Sequence, residues 1–128
     1  MSVASPAGLA LLGLLRDSDR GPRREGLFAV WLVVRLAEDL AEGDLPERGA
    51  RRRVAALERR LSSLTLPPPV RRGLLAALGE LKGTAPDGAP LAILSLVAPV
   101  RDAIGPDAAD TLARAARRVA ATLQHRYR

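Results

Sequence analysis

Residues 44–64, DLPERGARRRVAALERRLSSL, decide the fold class. Within this stretch Ala50, Val54, Leu57, Leu61 and Leu64 recur at spacings of four, three, four and three. That is the repeat of a helix that lays one apolar seam along a partner at a shallow angle. Asp44 and Glu47 have the spacing of a capping box, with Pro46 in the first turn. Each larger seam residue, once buried, contributes on the order of 1.5 to 3 kcal/mol before entropy costs. A seam of this kind needs other helices to pack on.

The rest of the chain supplies them. Proline and glycine divide it into six segments of helical periodicity, and none shows the apolar–polar alternation of a half-buried strand. Ser5 and Pro6 are placed as N-cap and first residue of a segment carrying Leu9, Leu11, Leu12, Leu14 and Leu15. The second segment, from about Arg24 to Glu42, is apolar on most sides over Leu27–Val34 and one-sided afterwards, as expected of a helix in the middle of a bundle. After SSLTLPPP a fourth helix is expected to begin at the last proline, placing Val70, Leu74, Ala77, Leu78 and Leu81 on one face and stopping at Gly83. The fifth, Ala89 to Ile104, is again apolar on most sides. It contains Pro99, which predicts a kink or a break into two short helices. The sixth follows Gly105-Pro106 with Leu112, Ala116, Val119 and Leu123 as its seam. The expected architecture is all-α, one domain over residues 1–128, a bundle of five to six helices with one kinked near Pro99. Residues 1–22 form a Leu-rich helix and loop for which the surface of its own domain and that of a partner subunit are both open.

The inventory of reactive side chains is thin. The chain has 128 residues, no Cys, no Asn, and one each of His125, Lys82, Gln124, Trp31, Tyr127 and Phe28. Thiolate metal sites, iron–sulfur clusters, disulfides and a Cys nucleophile are excluded. A single His, the fourth residue from the end of the sequence, argues against a rigid triad or a multi-His metal site. Ser62, Ser63 and Ser95 have no evident base, and neither a phosphate-binding G-x-x-x-x-G-K-[ST] loop nor a dinucleotide G-x-G-x-x-G is present. The acidic group Glu38, Asp39, Glu42 and Asp44 puts Glu38 and Glu42 one turn apart, but it reads as solvated charge paired with neighbouring Arg. No catalytic, cofactor-binding or metal-ligating residues are assigned, and the expectation is a non-enzymatic protein.

Charge is the most pronounced feature. The formal net charge is +6, and 19 of the 20 basic residues are Arg; the isoelectric point is about 11.3. Abundant Ala, Leu, Gly and Pro beside scarce Lys and Asn is also what a GC-rich coding sequence produces, so composition and function are both open as sources of the Arg excess. Six Arg against one Glu fall in residues 48–60. At about 100° per residue, Arg48, Arg52 and Arg59 lie opposite the apolar seam, and Arg53 and Arg60 line one flank. This face suits phosphates, an acidic partner or anionic headgroups, or else it is a solvated face whose Arg stems cover apolar neighbours. A nucleic acid would be gripped by its phosphates rather than stacked, because Phe28 and Trp31 belong to the most apolar helix.

Three readings follow. The first is a small helical interaction or scaffold protein, self-associating, with Leu9, Leu11, Leu12 and Leu15 as its interface. The second is a polyanion binder through the Arg face, with nucleic acid possible but not favoured. The third is a small-molecule pocket between the two apolar helices, formed by Trp31, Arg35 and Ser95. The longest apolar runs, Gly26–Val34 and Ala89–Val100, are shorter than the roughly 18 to 20 residues a bilayer needs. The amino-terminal run lacks the preceding basic residue and the following small-residue site of a signal peptide, so a cytoplasmic protein is expected.

Overall fold

The computed structural model describes residues 5–43, 45–83 and 87–126. Among them are six α-helices and no strand: α1 (Pro6–Arg16), α2 (Pro22–Glu42), α3 (Glu47–Ser62), α4 (Pro68–Lys82), α5 (Gly88–Ala103) and α6 (Pro106–Arg126). Four of the six begin on proline, where the missing N–H has no intrahelical acceptor to lose. For the same reason α4 starts at Pro68, one residue before the last proline of the run. Pro46 behaves differently. It is the extended N-cap of α3, with φ −67° and ψ 157°, and stands outside the first turn. Its carbonyl accepts from the Ala50 N–H at 2.9 Å. The capping residue expected at Asp44 lies outside the described residues, as does the side chain of Glu47.

α5 passes through Pro99 as one helix rather than two. The proline ring rests on α4 at Gly73, where a Cβ would stand 3.0 Å from its Cγ. The missing side chain at Gly73 thus lets the two helices approach closely.

Every helix contributes to one cluster of buried apolar residues, with Leu27, Val30, Val33, Val34, Leu36 and Ala37 of α2 at its centre. α2 touches all five other helices, while these touch one another in the order α1–α6–α5–α4–α3. Among the described residues no contact joins α3 back to α1. The fold is therefore a five-helix ring around α2, open along one seam. Apolarity on most sides of α2 follows from its having neighbours on most sides.

Two Arg fasten the ring at its ends. Arg126 lies against Gly43, the left-handed residue (φ 78°) that closes α2. It donates from Nη1 to the carbonyls of Ala41 (3.0 Å) and Leu40 (3.4 Å), satisfying groups a helix end leaves unpaired. Arg71 of α4 donates to the carbonyls of Leu61 (3.2 Å) and Leu64 (2.9 Å), fixing the end of α3. Among the described residues, no helix is long and apolar enough to cross a membrane.

Candidate functional site

The seam between α1 and α3 is where α2 meets solvent. Its residues there, Phe28, Trp31, Leu32 and Arg35, are each half-buried, whereas Val30, Val33 and Val34 on the opposite side are fully buried. The side chains form a continuous row. The Arg60 guanidinium lies 5.1 Å from the Phe28 ring centre. Phe28 and Trp31 stack with centroids 6.3 Å apart and planes 21° from parallel. Arg35 then covers Trp31 at 5.4 Å. Cation–π contacts of this kind contribute about 0.5 to 1 kcal/mol each at exposed sites. They also leave both rings partly capped by the protein's own cations.

Next to this row, Leu32 of α2 and Arg53, Ala56, Leu57 and Arg60 of α3 line a cleft of about 330 Å³. Ala56 is exposed. Its neighbours on the helix surface, four and three residues before and three and four after, are Arg52, Arg53, Arg59 and Arg60. A small apolar window is therefore flanked by four Arg positions on the helix surface. Arg53 is also bound to Asp39 of α2 at 2.6 Å, with both side chains partly buried, which ties α3 to α2 beside the cleft. Arg48, Arg52 and Arg59 are exposed.

The five Arg of the expected basic face are thus divided in role. Arg48, Arg52 and Arg59 point outward, Arg53 holds an ion pair, and Arg60 covers an aromatic ring. The four leucines of α1 are divided as well: Leu11 is fully buried, Leu12 and Leu15 are half-buried, and Leu9 is exposed. α1 rests on α2 and α6 of its own chain.

Trp31, Arg35 and Ser95 are not gathered into one cleft among those described. Trp31 faces α1, its Nε1 3.7 Å from where a Cβ on Gly8 would stand. The Ser95 hydroxyl donates to the carbonyl of Leu91 on its own helix at 2.9 Å.

Of the acidic group at the end of α2, Glu38 and Asp39 are committed internally, and Asp44 lies outside the described residues. Ser5 Oγ accepts from the Gly8 N–H and donates to Glu38 Oε1, both at 2.9 Å. Burial pushes the Glu38 carboxyl above its ordinary value, against the Ser5 hydrogen bond. Glu38 and Glu42 share a cleft of about 250 Å³ with Ser5, Arg118 and Thr122. Among the described residues no three His, Asp or Glu side chains are grouped to hold a metal ion.

The framing of Ala56 by four Arg is readable in the sequence as i−4, i−3, i+3 and i+4 neighbours. That Leu32 borders the same opening, with Phe28 under Arg60 beside it, is not, because it depends on which side of α2 is left uncovered. No family model, curated protein or solved structure matches the chain.

Proposed function

We propose that the protein is a non-enzymatic binding module whose partner is an acidic, amphipathic helix of another protein, received along the open seam beside α3. The observation that carries this reading is the incomplete ring. Equal cylinders pack six around one, and α2 has five neighbours. A sixth helix laid along the seam would place apolar side chains on Leu32, Ala56 and Leu57, and carboxylates among Arg52, Arg59 and Arg60. Recognition by an apolar anchor in a pocket with charges around it is the usual physics of helix-in-groove binding.

Trp31 is the sole tryptophan and borders the seam, so it reports occupancy directly. The experiment titrates the full chain with a synthetic Leu/Glu amphipathic helix and follows Trp31 emission. Saturable change is expected, with affinity reduced on the order of tenfold or more by Arg52→Glu with Arg59→Glu. No response to the acidic peptide removes the proposal. A response to a single-stranded oligonucleotide instead, with steep salt dependence, would transfer the site to the polyanion reading.

A further inference from the structure

From Gly88 to Val100, α5 carries no ionisable side chain, yet only part of its circumference faces the bundle. On the outer side Leu91 and Leu94 are 49% and 52% exposed, and Ala98 is exposed with them. The row continues into charge at each end. Asp87, Leu91, Leu94, Ala98 and Arg101 are separated by four, three, four and three residues, so all five share one face, and all five are exposed or, for the leucines, half-exposed to solvent. Asp87 makes no side-chain cap bond to α5, and neither it nor Arg101 has an ion-pair partner among the described residues. Ser95, at the edge of the row, has its hydroxyl satisfied by Leu91, so the face carries no orphaned donor from that residue.

This row is complementary to itself in one direction only. Asp87 and Arg101 lie seven residues to either side of Leu94. Turned antiparallel about Leu94, two such rows bring each Asp87 to the Arg101 of the other copy, set Leu94 on Leu94, and oppose the large Leu91 to the small Ala98. In a parallel pair the like charges coincide at both ends. Asp102, beside Arg101, is turned about 100° around the helix and stands outside the row.

We infer that the outer face of α5 is an interface between two copies of this chain, packed antiparallel about a twofold axis at Leu94. The same patch then serves on both subunits, which is the requirement of an isologous dimer. The row is about 21 Å long at 1.5 Å per residue. A single helix pair of that length falls below a standard stable interface, so the dimer is weak and concentration-dependent. It is separate from the seam, because among the described residues α5 and α3 make no contact.

The absence of cysteine from the chain makes the test direct. The full chain is followed by sedimentation over a wide concentration range, where mass is expected to rise from 13.6 kDa towards twice that value. Leu94→Glu should weaken dimerisation on the order of tenfold or more. Asp87→Arg should weaken it too, and adding Arg101→Asp to that variant should restore it. Leu94→Cys should form a disulfide-linked dimer under mild oxidation, while Leu75→Cys, at a position 53% exposed on α4, should not. Because the side chains changed are exposed, circular dichroism should show all variants folded. A wild-type chain that stays monomeric, a dimer indifferent to Leu94→Glu, or Leu94→Cys cross-linking no faster than Leu75→Cys overturns the inference.

Discussion

Glu38 stands between two opposing influences. Its carboxylate accepts from Ser5, whose hydroxyl also caps α1, so one side chain of α2 helps to fix the start of another helix. Burial is the largest cause raising its pKa; Glu42 and Asp39 add to the effect, and the Ser5 hydrogen bond and Arg35 oppose it. The folded state therefore holds this proton more tightly than the unfolded chain does. Ionised Glu38 is penalised by folding, and stability from this group declines as pH rises from the ordinary value of 4.5 through the folded pKa. Glu38→Gln, which keeps an acceptor for Ser5, is expected to raise the melting temperature modestly at neutral pH, with the gain disappearing at pH below the ordinary carboxylate range. A difference between wild type and variant that stays constant across that range would show that desolvation of the charge is not its source.

At the scale of the element, α4 carries two glycines with opposite expected responses. A Cβ on Gly79 meets nothing within 4 Å, so Gly79→Ala gains helix propensity, about 1 kcal/mol. On Gly73 the same atom falls 3.0 and 3.3 Å from two atoms of the Pro99 ring and 3.4 Å from Leu96. A proline ring inside a helix cannot turn aside, so Gly73→Ala is expected to cost about 1 to 3 kcal/mol as α4 and α5 are forced apart. Urea unfolding of both variants, read as midpoint shifts of opposite sign, checks the pair. Neither sign is legible in the sequence, where both are glycines within an apolar-periodic segment. The seam of α3, the start of α1 at Pro6 and the central place of α2 are legible, since each depends on local spacing or on one helix's circumference; the starts of α2 at Pro22 and of α4 at Pro68 lie one or two residues ahead of the expected ones. The division of the α1 leucines is not, because residues spread around a helix do not say which side its neighbour occupies. The close seating of the Pro99 ring of α5 depends likewise on another helix, which presents Gly73 to it.

For the whole molecule, the ring predicts uneven stability. Among the described residues α1 and α3 flank the opening and each rests on two helices, whereas α2 is packed against five and α5 against three. Amide hydrogens of α1 and α3 are expected to exchange with solvent ahead of those of α2 and α5, as local opening draws on the least packed units first. Measurement by mass spectrometry after peptic digestion would reject the ring description if exchange were uniform. An acidic helix bound in the seam should slow α3 most, which links the exchange pattern to the function proposed for that surface. The arginine at the end of α6 extends the same architecture: by binding the last carbonyls of α2 it fastens the periphery to its axis.

The contact between α1 and α6 carries a topological consequence. Ser5 and Thr122 line one cleft, so the first and last helices are neighbours in the ring although most of the chain separates them. The five outer helices thus follow one another along an arc in the order α3, α4, α5, α6, α1, so the chain can be opened at the seam and rejoined between α6 and α1 without changing that order. A circular permutant opened between α2 and α3 and rejoined from α6 to α1 would preserve every helix pair. In that sense the bundle specifies an arc of neighbours around one axial helix, and the same arc can be threaded from more than one starting helix.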